Sequence, residues 1–264
     1  NKIFIKMSEG KKEILLGDCL ELMKDIPNGS IDMILCDLPY GVTSCDWDEV
    51  IPFDKLWEQY ERLIKPNGAI VLFGIEPFSS KLRISNLRMY RYDWVWEKTK
   101  STGFQNSKIQ PLRKTENISV FYAKKPTYNP QGLIKLEQPK QNIRNGEINN
   151  KHKFNTYKGG GEKSEFTNYP TNLIRFSNPS GKGHSHETKK PIALFEYLIK
   201  TYTNENDLVL DNTAGSGTTA IACLNTKRQF IVMEKEQKYY DIILKRVGDF
   251  NKNFEPQTLF GNEM

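Results

Sequence analysis

The sequence predicts an α/β protein organised around a parallel sheet, and three observations carry that prediction. Short apolar runs with strand character alternate with stretches whose apolar residues recur at helical spacing, the pattern of a sheet with crossover helices. A glycine-rich turn, Gly215-Ser216-Gly217, stands between one such run and a helical stretch. Between the two ordered halves, from about Lys124 to Gly183, the alternation dissolves into Asn, Lys, Gly and Pro around Gly159-Gly160-Gly161. At 264 residues the chain is long enough for one substantial core with an inserted module. The expected division is a first half over 1–123, an insert over 124–183 and a second half over 184–264.

Taken in order, residues 12–17 read as a strand ending at Asp18, and 19–26 as a helix closed by Pro27-Asn28-Gly29. Residues 31–36 form an apolar run of strand length, with Asp37 at its carboxyl end. Over 53–65 the apolar residues fall at helical spacing. Pro66-Asn67-Gly68 then reads as a turn and 69–73 as the next short strand. Residues 77–87 are expected to be helical, and 92–96 and 118–123 to extend the sheet as an antiparallel pair at one edge. Order returns at Pro191, which opens a helix over 192–202. A strand over 208–210, a helix over 218–225, a strand over 230–233 and an amphipathic helix from 237 to about 250 complete the chain, without an internal repeat.

Composition excludes several classes. No opening apolar segment is flanked by positive charge and no run of about 18 apolar residues occurs, so a soluble, cytoplasmic protein with no membrane partner is expected. The four cysteines, Cys19, Cys36, Cys45 and Cys223, have no C-x-x-C spacing and only three histidines accompany them, which argues against a disulfide framework and a metal site. The net charge of +6 is unevenly placed: residues 98–190 hold 18 Lys and Arg against 6 Asp and Glu, and the remainder holds 20 against 26. A basic middle third between two acidic parts suits phosphate contacts, and an ordinary lysine-rich surface is the competing account. Lys98, Lys100, Lys108, Arg113, Lys114, Lys124 and Lys125 are the candidates for contact with a nucleic-acid backbone, with Trp94, Trp96 and Phe104 interleaved. Trp94 and Trp96 share one strand face, so that pair is expected in the core.

Two constellations carry chemistry. Asp37-Leu38-Pro39-Tyr40 sets a carboxylate, a rigid turn and an aromatic ring together at a strand end, which suits gripping a planar base that bears an amino group. The second is Asp211-Asn212-Thr213-Ala214-Gly215-Ser216-Gly217-Thr218-Thr219, where a G-x-G turn lets a ligand approach backbone and a helix amino end. Glu234 closes the next strand at the separation where an acid pairs with a ribose diol, so a nucleoside-containing cofactor is implied. Dehydrogenases that bind dinucleotides share this strand-loop-helix logic. Here the third glycine of a pyrophosphate site is missing, acidic Asp211 suits an amine-bearing ligand, and the 37–40 tetrapeptide has no place in hydride transfer.

These motifs resemble the beta class of DNA amino-methyltransferases that use S-adenosyl-methionine. The order agrees along nearly the whole chain: the catalytic tetrapeptide, then a target-recognition region, then the segment His186-Glu187-Thr188-Lys189-Lys190-Pro191, then the cofactor loop. The resemblance implies a circularly permuted, Rossmann-like methyltransferase sheet with helices on both faces and an inserted target-recognition region. It implies that Asp211, Ala214, Gly215, Gly217 and Thr218 form the cofactor loop, that Glu234 holds the ribose hydroxyls and that Asp18 reaches the cofactor's adenine amino group. Thr188 and Lys190 would hold the methionine carboxylate. The chain departs from the family pattern at Glu187 and Lys189, at Leu38 where many relatives have Pro, and at Asn212-Thr213 where Pro-Phe is usual.

The resemblance further implies transfer to N6 of an adenine flipped out of double-stranded DNA, with no metal. Asp37 and the Leu38 carbonyl would accept the amino protons, Pro39 would fix the turn and Tyr40 would stack on the base. Adenine is favoured over N4 of cytosine because the tetrapeptide begins with Asp, where cytosine-specific relatives more often have Ser. A homodimer and a cognate restriction endonuclease are the partners that relatives suggest. The competing readings are an RNA or protein methyltransferase and a catalytically inactive DNA-binding module that keeps the fold.

Overall fold

The structure, a computed structural model of the chain, describes residues 2–4, 11–41, 48–141, 163–178 and 190–252. Two compact units are present: one comprises 1–129 with 172–264, the other 130–171. The larger unit is built on a nine-stranded sheet in the order β1-β2-β11-β10-β3-β4-β6-β5-β9. Its strands are β1 (Lys2–Phe4), β2 (Lys12–Leu16), β3 (Ile31–Cys36), β4 (Ile64–Gly74), β5 (Tyr90–Thr102), β6 (Arg113–Phe121), β9 (Leu173–Phe176), β10 (Leu208–Asp211) and β11 (Gln229–Glu234). The five strands from β2 to β4 are mutually parallel, which is why they are apolar on both faces.

Helices cover both faces. On one side α4 (Ile192–Tyr202), α5 (Thr218–Asn225) and α6 (Gln237–Lys252) pack Leu194, Phe195, Leu198, Ala222 and Ile243 against Met33, Val71, Val209 and Phe230. On the other, α1 (Cys19–Met23), α2 (Phe53–Leu63) and α3 (Phe78–Ser85) pack Met23, Leu56, Tyr60 and Leu82 against Ile34, Ile70, Leu210 and Ile231. Burying both faces is what gives the alternation of the sequence its driving force.

The crossover through α5 carries the chain from β10 outward to β11, and the one through α2 carries it in the opposite direction from β3 to β4. The loops after β10 and β3 therefore leave their adjacent strands toward opposite faces and open a crevice at their carboxyl ends. This is the switch point at which doubly wound sheets bind ligands. Because β10 and β11 are the last strands of the chain and β3 and β4 are early ones, the order is circularly permuted as expected.

Three expectations need correction. Pro66-Asn67-Gly68 does not separate a helix from a strand: it lies inside β4, where pairing with β3 jumps from Ile31↔Ile64 to Met33↔Ala69, so the tripeptide is absorbed as a bulge. The β5–β6 pair is antiparallel but not the edge, because β9 adds outside β5 in parallel, with Trp96 opposite Ile174. The stretch read as unpatterned therefore contains a sheet strand. It also contains β7 (Ile134–Gln141) and β8 (Lys163–Thr167), an antiparallel pair that forms the smaller unit. β1 was not anticipated; it pairs antiparallel with β2. Cys36 and Cys223 are buried free thiols and Cys19 is half-buried; Cys45 and Gly159-Gly160-Gly161 lie outside the described residues. Among the described residues no helix is long and apolar enough to cross a membrane, and no group of acidic, His and Cys side chains could hold a metal.

Candidate active site

Both strand-end motifs line one cavity of about 650 Å3 in the larger unit. Its wall includes Asp18, Asp37 to Tyr40, Lys98, Glu116, Lys190, Asp211 to Ser216 and Glu234. Adjacency of β3 and β10 brings the motifs together: the Thr213 hydroxyl donates to the Asp37 main-chain carbonyl at 3.2 Å, joining residues 176 apart in sequence. Asn212 anchors the same turn from beneath. It is buried, and its Oδ1 accepts from the Tyr60 hydroxyl at 2.5 Å and from the Cys36 thiol at 2.9 Å. Asn212 and Thr213, two of the residues that depart from the family pattern, thus stitch the turn after β10 to the end of β3.

At the Asp37 end the side chains form a closed ionic cluster. The Lys190 ammonium lies 2.7 Å from Asp37 Oδ2 and 2.9 Å from Glu116 Oε1. The Lys98 ammonium lies 2.8 Å from Glu116 Oε2, and the Tyr40 hydroxyl donates to Asp37 Oδ1 at 2.5 Å and to Glu116 Oε1 at 3.0 Å. Lys190 also stands over the rings of Tyr40 and Phe73, at 5.6 and 5.3 Å from their centroids. Burial works against charging Glu116, yet the Lys190 and Lys98 ammoniums outweigh it and hold its carboxyl down at about 2. Burial also opposes the charge on Lys190, and the Asp37 and Glu116 carboxylates reverse that effect and raise it. Asp37 is pushed above the usual carboxylate range by burial, with Lys190 pulling the other way and Glu116 adding to the rise. Burial, then Asp37 and Glu116, push the Tyr40 phenol far up, so it remains a donor.

At the glycine-loop end two acids face the cavity, and among the described residues neither is in an ion pair. Asp211 is buried, accepts the Thr213 N–H at Oδ1 (3.1 Å) and the Thr219 hydroxyl at Oδ2, and is pushed up to about 7 by burial against those bonds. Glu234, also raised by burial, accepts the N–H of Gly215 at 2.8 Å and of Glu236 at 2.9 Å. Gly217 has φ +78 and packs so tightly that a Cβ would stand 2.9 Å from Ile243, so no side chain fits there. A Cβ on Gly215, by contrast, would meet nothing within 4 Å, so the loop presents open space to a ligand. Asp18 caps α1 through Oδ1 alone, accepting from Leu20 and Glu21, which leaves Oδ2 for another donor.

The structure brings Asp18, Asp37, Leu38, Pro39, Tyr40, Lys190, Asp211, Ala214, Gly215, Thr218 and Glu234 to one cavity. Gly217 supports the loop from behind, and Thr188 lies outside the described residues, as does all of 186–189. Two candidates already have side-chain partners in this structure. Lys190, expected on a cofactor carboxylate, is paired with Asp37 and Glu116. Lys98, expected on a phosphate, has a side chain only 11% exposed and engaged with Glu116. Strand alternation explains it: Lys98 follows Trp94 and Trp96 on the buried face. Lys100, Lys108, Arg113, Lys124 and Lys125 are exposed, and Lys114 is exposed but paired with Glu97. Sequence reasoning missed Glu116 and Asp48. The signal for Glu116 was present, since it shares parity with buried Ile118 and Val120; Asp48 accepts the N–H groups of Tyr40 and Gly41 and holds the turn.

Comparison with known proteins agrees with this arrangement. Residues 31–245 match the model of the N6/N4 family described as DNA methylase. The chain is 29% identical over 272 residues to the Type II methyltransferase M.HinfI of Haemophilus influenzae, across 91% of this chain and 69% of that protein. It is 27% identical over 257 residues to the Type II methyltransferase M.HpaI of Haemophilus parainfluenzae, across 91% and 76%. Among solved structures, that of the M1.HpyAVI–SAM complex matches with a TM-score of 0.59 and 25% identity, covering 89% of this chain and 98% of that one.

Proposed function

The chain belongs to the N6/N4 family of DNA methylases, and from that premise we propose that it methylates N6 of an adenine extruded from duplex DNA at one short site. The observation that carries this reading is the contact between the two motifs: the Thr213 hydroxyl on the Asp37 carbonyl, with one cavity running from Asp37 to Glu234. The open space at Gly215 and the two acids, which among the described residues form no ion pair, fit S-adenosyl-methionine, which carries an amine, a ribose diol and an adenine. Asp211 would face its ammonium, Glu234 its ribose hydroxyls and Asp18 its adenine amino group. When bound, it supplies an electrophilic methyl on a sulfonium.

The protein's own task is to make a poor nucleophile competent. An adenine N6 shares its lone pair with the ring; Asp37 and the Leu38 carbonyl accept its protons, favour a pyramidal nitrogen and stabilise the positive charge that grows there. Lys190 already holds Asp37 Oδ2, so the entering amino group takes its place while Glu116 retains the ammonium 2.9 Å away. The smaller unit, within the 124–183 insert, and the exposed cations Lys100, Lys108, Arg113, Lys124 and Lys125 would hold the duplex and read the site. A homodimer, a cognate restriction endonuclease and a bacterial or phage-infected cell interior complete the proposal.

Sequencing of modified bases in DNA from cells expressing this chain tests it. N6-methyladenine should occur at one short sequence and vanish with Asp37→Ala. N4-methylcytosine at the site would overturn the adenine assignment. Cofactor binding with no modified base would leave only an inactive DNA-binding module.

A further inference from the structure

The hairpin of β5 and β6 ends in a turn that the site description leaves without a task. The two strands pair as far as Thr102↔Arg113, and both of those residues line the cavity, so the turn over 103–112 rises from its rim. The turn is built rather than slack. Gly103 takes the left-handed conformation at φ 83, Phe104–Asn106 form a single 3-10 turn, and the amides of Asn106, Ser107, Ile109 and Gln110 all bond back within the segment. Yet its apolar side chains face solvent: Phe104 is 79% exposed, Ile109 83% and Leu112 43%. Of the ten large apolar side chains that the described residues expose, three fall in these ten positions, a concentration beyond ordinary scatter. No acidic residue occurs from 98 to 115, while Lys100, Lys108, Arg113 and Lys114 surround the patch.

A preformed apolar tip, ringed by cations, at the mouth of a pocket meant for an extruded base has one fitting occupant: the duplex that supplies the base. We infer that Phe104 is the wedge that enters the gap left in the base stack when the target nucleotide swings out, an inference that rests on the function proposed above. Extrusion leaves two base pairs without their stacking partner, and an aromatic face is well shaped to replace the lost surface. Phe104 lies only two residues beyond Thr102 of the rim, close enough for its ring to meet the stack while the base occupies the cavity. Lys100 and Lys108 stand on either side of it in sequence and take the flanking phosphates. The hydrogen-bonded turn fixes the backbone that carries the ring before DNA arrives, which lowers the ordering cost on binding.

The test compares single-turnover methylation of two duplexes carrying the site found by modified-base sequencing. In one the target adenine is paired with thymine; in the other it lies opposite an abasic position, where extrusion needs no wedge. Phe104→Ala should lose about tenfold or more on the paired duplex and return to within about threefold of wild type on the abasic one. Phe104→Trp should keep wild-type rates on both, and S-adenosyl-methionine affinity should be unchanged in both variants, showing that the fold is intact. Equal losses of Phe104→Ala on the two duplexes, or no loss on the paired one, overturn the wedge. Wild-type protein inactive on both duplexes is a different failure, that of the underlying function.

Discussion

The two ends of the cavity handle buried charge in opposite ways. At the Asp37 end two carboxylates and two ammoniums neutralise one another, and Glu116 is held at about 2. At the glycine-loop end Asp211 is pushed up to about 7 and Glu234 is raised, each supported only by N–H and hydroxyl donors, and among the described residues no cation pairs with either. One end is complete before any ligand arrives. The other holds two raised carboxyls that a sulfonium cofactor with an ammonium group would suit. Under the proposed function, the contrast would let one crevice take a cation at one side and a neutral base at the other.

Removing the centre of the complete end should have the largest effect. Glu116→Gln leaves Lys98 without its carboxylate and Lys190 with Asp37 alone, in a site where both ammoniums are nearly buried. Breaking a buried pair from one side typically costs about 3 kcal/mol, which thermal or denaturant unfolding would register. Lys190, no longer shared, should also bind Asp37 more firmly and compete with the target amine, lowering kcat by about a hundredfold. S-adenosyl-methionine affinity should stay within about twofold, since Glu116 belongs to the other end. Glu116 ionises more readily in the folded protein than in the unfolded chain, so its contribution is present above the ordinary glutamate value of 4.5 and fades as pH falls toward 2. An unchanged unfolding midpoint with normal kcat would remove the cluster from the argument.

The incomplete end should respond to pH in a range where the complete end does not. Asp211 binds its proton more tightly folded than unfolded, so its ionisation costs stability as pH rises from about 4 to about 7. A cationic ligand reverses the preference, releasing that proton on binding. Between about pH 8 and about pH 6 the Kd for S-adenosyl-methionine should therefore rise about tenfold, measured by calorimetry at constant ionic strength. Asp211→Asn should weaken binding and flatten the profile. A Kd independent of pH in the native protein would mean that Asp211 is already ionised and has a cation of its own.

This division was partly legible in the sequence. The parallel core was, because β3, β10 and β11 are short apolar runs bounded by turn residues, and α4 and α5 begin and end where Pro191 and Thr218-to-Asn225 spacing put them. Both acids of the glycine loop were found because they sit at strand ends in a recognisable frame. Glu116 and Lys98 were not, since their partnership depends on which strands become neighbours: β6 inserts between β4 and β5, a fact of topology that local pattern does not contain. Read by alternation alone, Lys98 already belonged to the face of Trp94 and Trp96, and the net positive charge of the segment hid it. The edge strand β9 was missed because Leu173–Phe176, though apolar at three of four positions, is too short to establish a period and lies in a stretch rich in Asn, Lys, Gly and Pro. The Pro66-Asn67-Gly68 bulge was misread because turn chemistry is the same whether a strand ends or is merely interrupted.

The smallest effect sharpens the seam between the two ends. Thr213 contributes one hydroxyl, donated to the Asp37 carbonyl, and its side chain joins neither ionic cluster. Thr213→Val keeps the shape and removes the donor, so the carbonyl loses a partner worth about 1 kcal/mol while Asn212, pinned by Tyr60 and Cys36, still holds the turn. The expected result is a three- to fivefold lower kcat at about unchanged cofactor affinity, because the glycine loop remains formed and only the register of Asp37 against it loosens. If cofactor affinity falls instead and kcat is kept, the hydroxyl serves the loop and not the catalytic strand. In that case the two ends are held together by the β10–β3 pairing of Val209 with Met33 and Leu210 with Ile34 and by Asn212 on Cys36.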